Sequence, residues 1–238
     1  MKRQPAPSSW KTCSVRRLFN YNTMMTTNQE FKNSALAVLK GNWLNAVLSS
    51  LVFSVVMCIV TGASSIVQIF SDPFNFPLWG TGAGGFLLMW LVGMPVTVGF
   101  YYSFCALYTY SDARLVQNIF NYGFKYYGRA IGGMLLVVVF TFLWSLLFVI
   151  PGIVKGYSYA LTPYILIDDP QISIRDAVRK SQRMMSGQKF NLFYLQLSFI
   201  GWWILSILTG GIGFLWLTPY FTTSMAVFYR NLRDNIPA

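Results

Sequence analysis

Few groups in this chain could do chemistry. Histidine is absent, and there are seven acidic residues: Glu30, Asp72, Asp112, Asp168, Asp169, Asp176 and Asp234. Without imidazole, the usual general base and the commonest metal ligand are both missing. Asp168 and Asp169 form the one adjacent carboxylate pair. They could hold a divalent cation, but Pro170 and an amphipathic segment follow directly. Turn formation and favourable charge at a helix N-terminus therefore account for them. Cys13, Cys58 and Cys105 are widely spaced and two lie in apolar runs. They read as small buried hydrophobes, not as a metal site or disulfide framework. No Gly-x-x-x-x-Gly-Lys-[Ser/Thr] loop is present to cradle a phosphate. The expectation is a non-enzymatic chain with no catalytic residue, cofactor or metal.

The elements that carry these groups follow from composition. The 238 residues are 55% hydrophobic and only 11% charged, with a mean hydropathy of +0.48. A soluble domain carries about 25% charged residues, so lipid must supply part of the solvent here. Six apolar runs cover about 43–70, 86–110, 130–150, 153–167, 190–209 and 214–229. A helix needs about 20 residues to cross about 30 Å of hydrocarbon, so the fourth run is short and the sixth slightly so. Pro151-Gly152 separates the third run from the fourth and predicts a tight hairpin there.

The basic residues set the threading. Lys2, Arg3, Lys11, Arg16, Arg17, Lys32 and Lys40 precede the first run, and Arg114, Lys125 and Arg129 follow the second. Arg175, Arg179, Lys180, Arg183 and Lys189 follow the fourth, and Arg230 and Arg233 follow the sixth. The opposite connections hold none, with Lys155 the one cation nearby, placed where its stem can snorkel to headgroups. Lys and Arg are retained on the cytoplasmic side, so both termini are expected there. If 153–167 did not cross, the Arg175–Lys189 cluster and the tail cations would lie on the wrong face. The predicted fold is all-α: a polytopic helical membrane protein with about six transmembrane helices in three hairpins.

Each hairpin is preceded by an amphipathic cytoplasmic helix. Thr27 and Glu30 form a capping box, Phe31, Ala35, Val38 and Leu39 share a face, and Gly41 stops the helix. Leu115, Ile119 and Phe120 line the second such helix before Gly123. Ser173 and Asp176 open the third, where Ile174, Ala177, Val178, Ser181 and Met185 are apolar or small and Gly187 ends it. Arg175, Arg179 and Arg183 recur on its other face, so this helix is expected in the headgroup plane with its apolar side in lipid. With Lys189, these arginines are the candidate contacts to anionic headgroups, at roughly 1 kcal/mol each. The returning helices carry Pro95, Pro163 and Pro219, the last two in matching Thr-Pro-Tyr triplets. The pattern predicts a threefold repeat of helix plus hairpin within one membrane domain, 26–230, followed by a cytoplasmic tail, 231–238. Residues 1–25 are expected to be a disordered basic tail, or to lie upstream of a true start at Met24 or Met25. They have no secretory signal pattern.

The runs contain no acid or histidine relay of the kind proton-coupled carriers use. Gln68, Thr97, Ser103, Ser158, Gln196 and Ser198 suit hydrogen bonding between helices, at about 0.6 kcal/mol each. Gly128 with Gly132, and Gly152 with Gly156, suit close helix contact. Trp79, Trp202, Trp203 and Trp216 read as interface anchors. The juxtamembrane cations form no nucleic-acid recognition module.

Residues of the C-terminal half carry a resemblance. Pro151-Gly152-Ile153 and Tyr157-Ser158-Tyr159 lead to Asp168-Asp169-Pro170, then to Met185-Ser186-Gly187-Gln188-Lys189. The segment Ser198-Phe199-Ile200-Gly201-Trp202 and the pair Pro219-Tyr220 are its most specific parts. Over about 26–230 the chain resembles a bacterial family of integral membrane proteins catalogued as domain of unknown function nine-seven-five. That resemblance implies a multi-pass protein of the bacterial cytoplasmic (inner) membrane, and it brings no substrate or reaction. The expected partners are anionic membrane lipids and a membrane-protein partner, met through the basic face. The alternative is a passive carrier, channel or permease-like subunit for a small or amphipathic molecule, with the prolines breaking helices around a central site.

Overall fold

The computed structural model describes residues 27–71, 89–112, 114–147 and 149–235. The tail 1–25 with Cys13, residues 86–88 of the second apolar run, Asp72, Trp79 and the side chain of Gln68 lie outside the described residues. The described residues form helices joined by short turns, with no strand among them.

Helix α1 (Asn28–Leu39) starts at the expected box, where the Thr27 N–H donates to Glu30 Oε2 at 3.3 Å. It stops at Gly41, whose φ of +90° is a left-handed conformation that disfavours a side chain. Helix α2 (Trp43–Ser71) carries the first apolar run. A short π-type turn, Met89–Gly93, leads into α3 (Met94–Tyr110), with Pro95 in its first turn where no backbone N–H is required. Helix α4 (Leu115–Lys125) folds back along α3. A Cβ on Gly99 would lie 2.0 Å from Ile119 O, and one on Gly123 would lie 2.5 Å from Pro95 O. Only hydrogen at both positions permits this close approach. Of the three residues expected on the α4 face, Leu115 and Ile119 are buried and Phe120 is exposed. The residue on the buried side is Gly123, one turn after Ile119.

Helices α5 (Tyr127–Leu147) and α6 (Val149–Tyr159) pack as a hairpin. Pro151-Gly152 is not its turn. Both residues lie in the first turn of α6, where proline forfeits no hydrogen bond, and Gly152 lets that turn press against Ser145. A break at Ala160-Leu161 separates α6 from the short α7 (Thr162–Asp168), with Pro163 near its start. Helix α8 (Ile174–Met184) is capped as the sequence predicts: Ser173 Oγ accepts from the Asp176 N–H at 3.1 Å. Gly187, at φ +76°, turns the chain into α9 (Lys189–Leu197). The fifth apolar run is then interrupted at Ser198-Phe199 before α10 (Ile200–Leu208). Helix α11 (Phe214–Asn235) returns alongside α10 with Pro219 inside it.

The core is built from α1, α3, α4, α7, α8, α9 and α11, with Phe31, Phe104, Ile119, Leu161, Met185 and Phe228 fully buried. Here the expectation for the surface helices is corrected. The apolar face of α8 (Ala177, Val178, Ser181, Met184) is buried in protein, and Ser181 Oγ donates to Ser158 O at 2.8 Å. The same holds for α1, where Phe31 meets Phe228 edge-on at 5.3 Å. Periodicity shows that a helix has an apolar face but does not say what covers it. A neighbouring helix outcompetes lipid where it also supplies hydrogen-bond partners.

Outside this core the surface is oily. Leu44, Leu146, Ile150 and Leu208 are at least 75% exposed, and only 11% of Tyr127–Leu146 is buried. Soluble monomers rarely expose contiguous apolar patches beyond a few hundred Å². Among the described residues, four helical stretches are long and apolar enough to cross a membrane: Trp43–Gly62, Met89–Tyr110, Tyr127–Leu146 and Lys189–Leu208. The α6–α7 pair and α11 are not among them.

Candidate functional site

Helix α8 carries the expected basic face. Arg175, Arg179 and Arg183 are exposed, opposite the buried side. Asp176, one turn before Arg179, lies 3.6 Å from it in an exposed pair that contributes little. Lys189 is half-buried at the start of α9, after the Gly187 turn, and does not continue the arginine row.

Beside α8 lies a charged cluster that links three segments. Asp168, at the end of α7, accepts from Tyr229 Oη at 2.5 Å, from an Arg230 amino group at 2.9 Å and from Arg233 at 2.6 Å. Arg230 is 8% exposed at its side chain, Asp168 14% and Arg233 42%. Burial pushes the Asp168 carboxyl above its ordinary value, and Arg230 and Tyr229 pull it back without cancelling the rise. With three donors engaged, Asp168 is a structural anchor and not a free base. Next to it, the Arg129 guanidinium donates to the carbonyls of Asp169 and Ile172, tying the start of α5 to the α7–α8 connection. Asp112 is pushed up by burial, but hydrogen bonds from Asn118 and Arg114 outweigh this and hold its carboxyl below its ordinary value. Among the described residues no three His, Cys, Asp or Glu side chains gather as a metal site.

The sequence treated Asp168 as a turn former and Arg230 and Arg233 as tail charges. Their pairing spans more than sixty residues, beyond any local pattern. One signal was available: Arg230 and Arg233 are three apart and share a helix face.

The residues that carry the resemblance have structural duties. Ser198 Oγ donates to Leu195 O at 2.6 Å, and the Ser198 carbonyl, freed by the break, accepts from Lys32 Nζ at 2.9 Å. Burial pulls the Lys32 ammonium below its ordinary value. Phe199 is fully buried under that ammonium and packs edge-on against Tyr220 at 5.0 Å. Gly201 and Trp202 follow on the exposed side of α10, and the Pro219 carbonyl accepts from Thr223 Oγ1 at 2.7 Å. The polar groups of the apolar runs divide into two sets. Thr97 and Ser158 bond back to their own helices. Ser103 reaches Leu115 O on α4, and Gln196 accepts from Tyr157 Oη at 2.9 Å between α9 and α6.

The described residues form helices and no strand, and four stretches among them have the length and composition of membrane-crossing helices. The sequence profile described as "Protein of unknown function (DUF975)" matches residues 85–236, and the chain belongs to that family. The match leaves α1 and α2 outside. No curated protein and no solved structure matched the chain.

Proposed function

We propose that the chain is a multi-pass protein of the bacterial inner membrane. It crosses six times with both termini in the cytoplasm, and it acts without catalysis on lipid or protein partners through its basic face. The observation that carries this reading is α8: three exposed arginines on a helix whose other side is anchored in protein, beside helices covered in exposed apolar side chains. Length supports the two unassigned crossings. Val149 to Asp168, across its break at Ala160-Leu161, and Phe214 to Arg230 hold 20 and 17 residues, beside 19 from Arg129 to Leu147 in the already assigned α5, near the about 20 that a crossing needs. The charged ends of all three meet in the Arg129, Asp168 and Arg230 neighbourhood.

The test is co-purification of the full chain in mild detergent, with mass spectrometry of bound lipids and proteins. The variant Arg175→Gln/Arg179→Gln/Arg183→Gln is expected to lose its anionic lipids or its protein partner. An unchanged set of bound molecules would refute the basic-face reading.

One observation favours the alternative, a passive carrier. The two interrupted runs meet at the Tyr157–Gln196 hydrogen bond, where broken helices could frame a polar path. Uptake by proteoliposomes that Gln196→Leu abolishes would select it.

A further inference from the structure

Beyond α8, a recess of about 20 Å³ opens among α3, α4, α5 and α7, with Tyr102, Tyr122, Tyr126 and Arg129 on its wall and Val98 and Leu166 among its apolar lining. That volume admits one water-sized group, such as a phosphate oxygen. Arg129 Nη2 donates to both the Asp169 and the Ile172 carbonyls, but the Arg129 Nε–H is buried without an acceptor. A buried donor left in that state is costly, and an anionic oxygen relieves it best. A second cation stands at the rim: the exposed Lys125 ammonium lies 5.9 Å from the Tyr122 ring centre and 5.6 Å from that of Tyr126. Among the described residues no carboxylate lines the recess. Arg129 also lies in the first turn of α5, the most exposed of the apolar helices, along which Leu135, Val138, Val139 and Phe142 form an oily track.

We propose that this recess binds the phosphate of an anionic phospholipid. Arg129 Nε is the donor, Lys125 is the second cation, tyrosines line the polar wall, and the acyl chains lie along α5. Basic pockets of this kind between helices on the cytoplasmic side suit such headgroups, and interfacial tyrosine suits the depth. The proposal rests on the membrane reading above but places the lipid at a different site from α8.

The experiment uses the full chain in phosphatidylcholine nanodiscs containing a minor fraction of phosphatidylglycerol, with retained phosphatidylglycerol counted by native mass spectrometry. Lys125→Gln and Arg129→Gln are each expected to lower phosphatidylglycerol affinity about fivefold. Lys125 is exposed and, among the described residues, its ammonium meets the Tyr122 and Tyr126 rings, so its variant tests the site even if Arg129→Gln loosens the α7–α8 connection. Arg175→Gln/Arg179→Gln/Arg183→Gln is expected to keep this lipid. Loss of phosphatidylglycerol in the α8 variant alone would overturn the recess while sparing the basic-face reading. Full retention in Lys125→Gln and in a folded Arg129→Gln would overturn it as well. Displacement of the lipid by inorganic phosphate would also overturn it, by assigning the recess to a soluble anion. A wild-type chain that does not enter nanodiscs would sink the membrane reading itself.

Discussion

Replacing Asp168 by alanine should be among the most damaging single changes to this fold, and the geometry says by how much. The substitution removes one carboxylate and three hydrogen bonds. Arg233 is 42% exposed and can return to water, so its share is at most about 1 kcal/mol. Arg230 is 8% exposed and cannot. Leaving a buried charge unpaired costs about 3–5 kcal/mol. At roughly 2–4 °C per kcal/mol for a chain of this size, the melting temperature in mild detergent should fall by about 6–20 °C. Arg233→Ala should shift it by no more than about 4 °C. The double variant Asp168→Leu/Arg230→Met, which removes both charges, should recover most of the loss, because a buried pair contributes little beyond its own desolvation. If Asp168→Ala melts with Arg233→Ala, or the double variant is worse than the two single losses added together, the account of this cluster is wrong.

Further outcomes follow from the same structure. Gly99→Ala or Gly123→Ala forces a methyl into backbone atoms 2.0 and 2.5 Å away and should cost at least about 1–3 kcal/mol, read as a lower melting temperature, whereas Gly128→Ala, with open space around it, should cost far less. Ser173→Ala removes the α8 cap and should cost about 1 kcal/mol, a drop of about 2–4 °C in the same assay.

How far the sequence was legible depended on the range of each interaction. The Thr27 and Ser173 caps and the stops at Gly41 and Gly187 are local patterns and appear where the sequence placed them, and four of the apolar runs carry helical stretches long enough to cross a membrane. Pro151-Gly152 misled because proline is as comfortable in a helix's first turn as in a hairpin turn. Gly99 carried no flag and Gly123 read as the end of its helix, which in fact runs on to Lys125, since what the two glycines permit is an approach between helices whose register no local pattern states. The break at Ser198-Phe199 has no proline to announce it. It is held by Lys32 from a distant helix, whose ammonium satisfies the freed carbonyl. Arg129 was counted as one more juxtamembrane charge. Its link to Asp169 and Ile172 exists only once α5 and α7 are packed together.

Six crossings with every cation cluster on one side can be tested by labelling single cysteines with an impermeant maleimide, in a chain whose native cysteines are replaced. Ile150→Cys and Ile212→Cys should react in intact cells, and Arg179→Cys and Asp234→Cys only in inverted vesicles. Reaction of Arg179→Cys from the same side as Ile150→Cys would mean that the α6–α7 pair does not cross, and the threading proposed here would fail.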